Sequence, residues 1–431
     1  MSFRRRVYQT AACLGGLTAI LLLKKRCGRL TVRRLVNWMD PIEPSPEAVK
    51  ARLEERLAAD EVEKHIREKD GEVVPGSEKS VKWAGEAGQK TAICVVMFHG
   101  WSASRKECDP LPERIASALR ANLFFNRLPG HGRMPSSEEE VAGGQGGQGG
   151  LTGGRGCCGE ALRREATPQA VLSVALEAVR CGLALGDRVV LVGCSTGGAL
   201  VTWLASLPAV RPFVAAVVLV SPAYALGHPL YPVLKHTFAN LRMLPSFLNR
   251  GMRAWLIGAA VGKTRRHPSM GPAYDDSNTL TYPTTAILHL LDILWVLEGS
   301  TDYGSINSPV IMFGNPNDSV VDFRVKATNV FLQFGEAPKS LCCVTDADHP
   351  HVIASELLSP SAIAEIAEAT ITFLVSHIDS EGKPRNKTLQ QCSLRRNQSK
   401  STGLGDYSSK SYSSMKDLAA LADAVSQPLE V

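Results

Sequence analysis

Short apolar runs alternate along the middle of the chain with longer segments in which apolar residues recur at helical spacing. Continuous apolar runs are typical of strands that are buried on both faces of a sheet. Runs of this kind occupy residues 91–98, 122–126, 188–193, 213–220, 309–313 and 341–344. Because helical segments separate them, the pattern predicts an α/β fold with a mainly parallel, doubly wound sheet flanked by helices.

Helix start signals place several of the connecting helices. A serine or threonine N-cap followed by proline predicts helices over residues 45–70 and 167–185. Residues 103–120 and 361–378 have helical periodicity without so clear a start. The segment 45–70 is rich in charge, so we predict a solvated connector helix within a region that extends from residue 37 to 88.

Composition divides the rest of the chain into a core and its additions. We assign residues 89–222 and 308–378 to the core and predict an inserted helical lid over residues 223–307, because that segment is helical in pattern and rich in apolar residues. Part of this segment must also be plain core packing. Residues 143–159 are glycine-rich and residues 379–431 are rich in serine, lysine and asparagine, so both are predicted to be disordered.

The amino-terminal region carries a candidate membrane segment. Residues 7–23 are mostly apolar and lie between the basic clusters 4–6 and 24–26. About 17 apolar residues is the short end of a membrane span, and no small-residue cleavage site follows. We therefore predict that residues 1–36 form a single-pass membrane anchor with a basic flank, with a signal peptide and a transit peptide as alternatives. Both flanks are basic, so neither the membrane nor the side is indicated.

Charge and cysteine usage exclude several other classes. The 431-residue chain has a net charge of +6, but much of the excess lies at the termini without interleaved aromatic residues, so no nucleic-acid partner is predicted. The eleven cysteines are scattered, which predicts neither a disulfide framework nor a metal site. Residues 258–264 resemble a phosphate loop, but the glycine spacing is one residue short and no strand precedes it, so no cofactor is predicted. Nothing indicates the oligomeric state.

A candidate nucleophile lies where one apolar run meets a helix. The sequence Gly193-Cys194-Ser195-Thr196-Gly197 follows the run after Asp187 and precedes a packed helical pattern. Strand, glycine-flanked serine and helix are the context of a nucleophile elbow, in which a tight turn exposes the serine hydroxyl above the sheet. The two glycines allow the close packing of helix on strand that this turn requires.

A serine hydroxyl needs a base, and the base needs a carboxylate to orient it. The loop after the run 309–313 offers Asp318 as the acid, with Asp322 as its rival. The loop after the last run offers His351 as the base, with His349 as its rival. The order serine, acid, histidine is the order of an elbow-type hydrolase.

The oxyanion that develops during acyl transfer needs backbone N–H donors. Thr196 follows the nucleophile and is one candidate. Trp101 lies in the loop after the run 91–98 and is the other. His99 is expected to shape this loop, and His131, which lies between two glycines, is expected in a turn.

Taken together, these segments resemble the α/β-hydrolases of the monoacylglycerol lipase, carboxylesterase and serine aminopeptidase-like group. The matching pieces are His99-Gly100-Trp101, Leu128-Pro129-Gly130-His131-Gly132, Gly193-Cys194-Ser195-Thr196-Gly197, Asp318-Ser319-Val320-Val321 and His351-Val352-Ile353. The resemblance implies an α/β-hydrolase fold and ester hydrolysis through an acyl-enzyme, with Ser195, Asp318 and His351 as the triad and Trp101 and Thr196 as oxyanion donors.

Three functional hypotheses follow. The first is a membrane-tethered serine esterase or lipase, with monoacylglycerols and lysophospholipids as candidate substrates. The second is a peptidase or an acyltransferase with the same triad, since the acceptor is chosen by the pocket and not by the triad. The third is a non-catalytic ligand-binding module that retains the fold.

Overall fold

A computed structural model of the protein describes residues 43–55, 57–70, 72–134, 157–229, 231–241 and 246–385. The predicted membrane anchor and almost all of the predicted glycine-rich insertion lie outside the described residues. So does the predicted tail from residue 386 onward.

The described chain alternates strands and helices in the predicted manner. The strands are β1 Ser80–Lys82, β2 Thr91–Phe98, β3 Asn122–Phe125, β4 Gly186–Cys194, β5 Val214–Val220, β6 Thr264–Arg266, β7 Thr281–Pro283, β8 Val310–Gly314 and β9 Lys339–Cys343. The helices are α1 Pro46–Glu54, α2 Val62–Asp70, α3 Leu111–Leu119, α4 Gly159–Glu165, α5 Pro168–Leu185, α6 Thr196–Ser206, α7 Tyr231–Leu241, α8 Ser246–Val261, α9 Pro272–Asp275, α10 Ala286–Ser300, α11 Thr328–Gln333 and α12 Ile363–His377.

Seven of the strands form one sheet in the order β1-β3-β2-β4-β5-β8-β9. All neighbouring pairs in it are parallel except β1 with β3. The predicted mainly parallel sheet is therefore confirmed. β4 lies at the centre, and its last residue, Cys194, pairs with Val220 of β5. The chain thus leaves β4 at the middle of the carboxyl edge, where ligands of open α/β sheets bind.

Each face of the sheet has its own hydrophobic core, which explains the unbroken apolar runs. On β2, the side chains of Cys94, Val96 and Phe98 join the core that contains α5 and α6. Those of Val95 and Met97 join the core that contains α3 and α12. Since side chains alternate between the faces of a strand, a strand covered on both faces must be apolar at every position.

Two predicted helices are shorter than expected. The predicted connector helix 45–70 is two helices, α1 and α2, because the α-helical conformation ends at Glu54 and a 3₁₀ turn at Ala59–Glu61 precedes α2. The prediction of one helix over residues 103–120 was also wrong. A 3₁₀ turn at Arg105–Glu107 comes first, and α3 begins after Pro110.

Two predicted disordered segments contribute residues to the fold. Cys157 and Cys158, the last residues before α4, are buried, and the backbone N–H of Cys158 donates to Arg133 at 2.8 Å. Beyond α12, Ile378 pairs with Pro384, and Gly382 packs against Ile93 of β2. The described ends of both segments are therefore ordered.

The predicted lid segment, residues 223–307, has two parts. It contains α7, α8, the small β6–β7 hairpin, α9 and α10. The apolar residues Leu290, Leu291 and Leu294 of α10 are buried in the core that also contains α5 and α6. Val233 on α7 and Trp255 on α8 are exposed. α10 is therefore a core helix, and the preceding helices are more peripheral.

Among the described helices, only α5 has the length and hydropathy of a membrane span. Most of it is buried inside the protein, where it packs on the sheet. The feature is that of a core helix.

Candidate active site

Ser195 occupies a strained turn between β4 and α6. Its backbone has φ 50° and ψ −118°, in the region of positive φ that residues other than glycine seldom adopt. The turn is held by the end of β5 and the loop after it, since the N–H of Ser195 donates to the Val220 carbonyl at 3.0 Å and the Ser195 carbonyl accepts the N–H of Ala223 at 2.8 Å. Such strain is common at functional sites, where the surrounding structure imposes it.

The glycines around the nucleophile permit close backbone approach. A Cβ atom on Gly197 would lie 2.2 Å from the carbonyl oxygen of Phe98, and one on Gly193 would lie 2.5 Å from the carbonyl oxygen of Gly197. No side chain fits at either position without movement of the backbone. The predicted need for close helix–strand packing is met.

Ser195, His351 and Asp318 lie in one hydrogen-bonded line. The His351 Nε2 atom is 3.1 Å from Ser195 Oγ, and its Nδ1 atom is 2.7 Å from Asp318 Oδ2. The second oxygen of Asp318 accepts the N–H groups of Val320 and Val321 at 2.7 and 3.1 Å. The carboxylate is therefore fixed in place and keeps one oxygen for the imidazole.

Burial and charge act in opposite directions on His351. Burial lowers the pKa of its imidazole, but the hydrogen bond and charge of Asp318, helped by the charge of Glu107, outweigh that effect and raise the pKa above its usual range. Ser195 and His351 are 7% and 6% exposed, so little water competes for their hydrogen bond. The arrangement favours transfer of a proton from the serine hydroxyl to the imidazole.

The rival acid and base have other positions. The Asp322 carboxylate accepts the N–H of Val325 at 3.0 Å and caps the turn that follows it. His349 Nδ1 accepts the N–H groups of His351 and Val352 at 3.1 and 2.9 Å, so its ring holds the loop that presents His351. Burial lowers the pKa of His349, which favours the neutral ring that accepts these bonds.

The two candidate oxyanion donors belong to different elements next to the nucleophile. Thr196 is the first residue of α6, where backbone N–H groups have no partner within the helix. Trp101 follows Gly100 in the loop after β2, and this loop passes against Ser195, whose Cβ would be 2.9 Å from a Cβ on Gly100. The Trp101 ring contacts the His131 ring edge to face at 5.3 Å.

His99 and His131 are buried and support the same loop. His99 Nδ1 donates to the Gly100 carbonyl at 2.8 Å, and its Nε2 accepts the N–H of Leu128 at 3.1 Å. Burial lowers the pKa of His99 to about 4, so the ring is neutral at neutral pH. His131 donates to the Pro129 carbonyl at 2.9 Å, in a turn where both flanking glycines have positive φ. Both histidines have the structural positions expected for them.

Sequence reasoning missed one group beside the site. Glu107 is 3% exposed and accepts the N–H of Gly100 at 2.7 Å. It follows Arg105 and Lys106 in sequence, and a charged triplet of this kind normally indicates a solvated turn. Only the fold brings this carboxyl to the catalytic loop.

Part of the predicted lid segment is hydrogen-bonded to the loop after β2. Asn278 Oδ1 accepts the N–H of Ser104 at 2.9 Å, and the N–H of Thr279 donates to Ser102 at 2.7 Å. The segment between α9 and β7 is therefore joined to the loop that carries Trp101.

One group of potential metal ligands occurs among the described residues, on α2 and α5. Donor atoms of His65, Glu177 and Cys181 lie within 4.8 Å of one another. The Glu177 carboxylate, however, is bound by the guanidinium groups of Arg52 at 3.3 Å and Arg180 at 3.2 Å, and by His65. Because two arginine side chains already bind this carboxylate, their positive charge would repel a metal ion. We therefore assign the cluster to the packing of α1 and α2 on α5.

Three solved structures illustrate what the chain is similar to. A structure from work on the metagenome-derived lipolytic enzymes LipS and LipT is 19% identical, with 71% of this chain and 100% of that chain covered and a TM-score of 0.49. The monoacylglycerol lipase of Paleococcus ferrophilus is 19% identical, with 69% and 98% covered and a TM-score of 0.42. A soluble variant of the monoglyceride lipase of Saccharomyces cerevisiae is 15% identical, with 70% and 91% covered and a TM-score of 0.46.

No curated protein matches the chain. The model of the alpha/beta hydrolase family matches residues 95–366, which include Ser195, Asp318 and His351. This match covers more than half of the 431 residues. The chain belongs to the alpha/beta hydrolase family.

Proposed function

We propose that the protein is a serine hydrolase that cleaves carboxylic esters through an acyl-enzyme. The observation that carries the proposal is the line of hydrogen bonds from Ser195 through His351 to Asp318, with distances of 3.1 and 2.7 Å. A serine is a poor nucleophile without such a base, and the base needs an oriented tautomer. No cofactor is required for this chemistry.

In the proposed acylation step, Ser195 Oγ attacks the ester carbonyl while His351 Nε2 takes the hydroxyl proton. The negative charge on the carbonyl oxygen is stabilised by the N–H groups of Trp101 and Thr196. His351 then gives its proton to the departing alcohol oxygen, which leaves the acyl group on Ser195. In deacylation, water attacks the acyl carbonyl with His351 as base, and Ser195 is restored.

For the substrate, we propose esters with an apolar acyl chain, with monoacylglycerols and lysophospholipids as the first candidates. The support is the apolar character of the segment 223–307 and its contact with the loop that carries Trp101. The proposed membrane anchor at residues 7–23 would keep the site near lipid substrates.

Labelling with a fluorophosphonate probe tests the proposed nucleophile. We expect rapid labelling of the full chain and none of Ser195→Ala. Ser206→Ala is the matched control, because Ser206 is a buried serine of the same α6 helix and is expected to leave labelling unchanged. Equal labelling of the wild type and Ser195→Ala would overturn the assignment.

A panel of substrates then identifies the acceptor and the acyl chain. It comprises p-nitrophenyl esters of increasing chain length, monoacylglycerols, a lysophospholipid and peptide p-nitroanilides. Ser195-dependent hydrolysis of the esters supports the proposal. Turnover of the anilides alone indicates a peptidase. Thermal stabilisation by an ester without turnover indicates a ligand-binding module.

A further inference from the structure

Glu107 places a buried carboxyl group directly behind the loop that carries Trp101. Both its carboxylate oxygens would lie 2.9 Å from a Cβ atom on Gly100, and Ser195 Cβ would lie 2.9 Å from the same point. The space where a Gly100 side chain would stand is therefore taken by the carboxylate and by the nucleophile. The N–H of Gly100 donates to Glu107 Oε2 at 2.7 Å, which is short for an N–H···O bond.

The same carboxyl group reaches the elbow. Cys194, the residue before the nucleophile, lies near enough to lower the pKa of Glu107, as the N–H of Gly100 also does. Glu107 thus lies close to both the loop after β2 and the end of β4. These are the two elements whose separation determines how far Trp101 lies from Ser195.

The titratable groups that face Glu107 come from four elements. They are Cys108 beside it, Cys194 at the end of β4, Tyr274 of α9, and His351 of the loop after β9. Burial raises the pKa of Glu107 above its ordinary value, and the charge of His351 offsets only part of that rise. In return, the charge of Glu107 contributes to the raised pKa of His351.

We propose that Glu107 is a positioning residue whose carboxylate fixes the Gly100–Trp101 loop against Ser195 and whose negative charge faces the His351 imidazole. The inference rests on the proposed function for its catalytic consequence. An oxyanion donor is effective only if it is held in place before the charge develops. By holding the N–H of Gly100, the carboxylate fixes the His99–Gly100 peptide, which directly precedes the Gly100–Trp101 peptide that carries the N–H of Trp101.

The test compares Glu107→Ala and Glu107→Gln in the full chain. In Glu107→Ala the loop loses its acceptor, and we expect kcat to fall by about 10- to 100-fold with KM little changed. In Glu107→Gln the amide oxygen can still accept the N–H of Gly100, so most of kcat is expected to remain. Glu113→Gln is the control, because Glu113 lies on α3 and pairs with Lys82 away from the site.

The pH profile separates positioning from a merely structural role. Removal of the negative charge lowers the pKa of His351, so the base is available at lower pH. We therefore expect the acid limb of kcat/KM to move to lower pH in Glu107→Gln and to stay in place in Glu113→Gln.

Hydrogen exchange over residues 99–104 tests the loop without turnover. We expect exchange to be about tenfold faster in Glu107→Ala and unchanged in Glu107→Gln. If the wild type lacks Ser195-dependent turnover but exchange responds in this way, the proposed function fails and the positioning of the loop stands.

Two results overturn the inference when the wild type is active. One is a folded Glu107→Ala variant with wild-type kcat and wild-type exchange. The other is an acid limb of kcat/KM in Glu107→Gln at the same pH as in the wild type. This second result is sufficient on its own if circular dichroism shows that Glu107→Ala does not fold.

Discussion

At the scale of single residues, the backbone of Ser195 shows how the fold holds a reactive group in an unfavourable conformation. A residue other than glycine at φ 50° and ψ −118° costs about 1–3 kcal/mol. Hydrogen bonds to Val220 and Ala223 hold both sides of its peptide backbone. The strain is therefore maintained by the central strands.

The strain can be measured by comparing two inactive variants. Both Ser195→Ala and Ser195→Gly remove the hydroxyl, but only glycine accepts positive φ without strain. We expect the glycine variant to be more stable than the alanine variant by about 1 kcal/mol after its larger unfolded-state entropy is subtracted, and therefore to unfold at a higher temperature. Calorimetry checks this, and a glycine variant that unfolds at a lower temperature than the alanine variant would contradict the strain.

Asp318 sets both the tautomer and the pKa of His351. Catalysis needs the neutral imidazole, so activity rises with pH through the raised pKa of His351, and the acid limb of kcat/KM is expected above pH 6.5. In Asp318→Asn the limb moves to lower pH, because the partner charge is gone, and kcat falls by about 10⁴-fold.

Asp322→Asn is the control for this substitution, since Asp322 caps a turn in the same loop. Its pH profile is expected to match that of the wild type. A pH profile in Asp318→Asn identical to that of the wild type would contradict the assignment of the acid.

The meeting of Ser195, Asp318 and His351 could be predicted from the sequence better than the contacts around them. Ser195, Asp318 and His351 follow strands that the apolar runs mark, so their meeting at one sheet edge follows from topology. Glu107 could not be predicted in this way, because its burial depends on the turn that ends before Pro110. The loop-holding role of His349 likewise depends on hydrogen bonds that no sequence pattern encodes.

At the scale of elements, the elbow depends on how closely α6 approaches β2. We expect Gly197→Ala to destabilise the protein by about 3 kcal/mol, because the new methyl group would lie 2.2 Å from the Phe98 carbonyl oxygen. Gly251→Ala on α8 is the matched control. It has open space around it, and helix propensity predicts a gain of about 1 kcal/mol. Chemical denaturation measures both, and two equal effects would contradict the packing argument.

A three-residue ion cluster joins α7 to the turn after Asp318. Glu298 of α10 binds Lys326 at 2.7 Å and also binds Lys235 of α7. Burial raises the pKa of Glu298, but the two lysines outweigh this and lower it. We expect Glu298→Gln to destabilise the protein by about 1–2 kcal/mol at neutral pH.

The pH dependence of that effect has a definite sign. A carboxyl group whose pKa is lowered in the folded state stabilises the fold above its unfolded pKa, and this stabilisation is lost as the pH falls through the folded pKa. The difference between wild type and Glu298→Gln is thus expected to shrink below about pH 4. Glu54→Gln, which affects an exposed pair with Lys50, is the control, and an equal loss there would contradict the assignment.

The bounds of the buried elements were predicted to within a residue or two, and the exposed elements were not predicted. β2 and α5 match the predicted bounds. β2 is covered on both faces and is therefore a continuous apolar run, and α5 has a clear N-cap. β1 was missed within the predicted polar link because it is a three-residue edge strand with little burial. The β6 strand is exposed throughout and lacks an apolar signal.

At the scale of the whole molecule, α1 and α2 are attached to the α/β core. Glu177 of α5 binds Arg52 of α1 and His65 of α2, which ties both helices to the same core helix. Residues 37–88 are therefore more than a spacer, and a truncation that tests the predicted anchor must leave these contacts intact.

Removal of residues 1–36 preserves those contacts. We expect the truncated protein to leave the membrane fraction after a carbonate wash, while kcat for a soluble p-nitrophenyl ester stays within about twofold of the full chain. The full chain is expected to stay in the pellet. A truncated protein that also stays in the pellet would place the membrane contact elsewhere.

Folding constrains the two parts of residues 223–307 differently, so we expect substrate range to diverge between relatives in the more peripheral part. α10 shares its apolar core with the sheet, so its sequence is constrained by folding. In the preceding α7 and α8, Val233 and Trp255 are exposed, so folding constrains the sequences of these helices less. A grafted segment that replaces residues 231–283 would therefore replace the peripheral part of the predicted lid and leave the α/β core intact. A graft extended through Ala286–Ser300 would have to rebuild one face of the sheet.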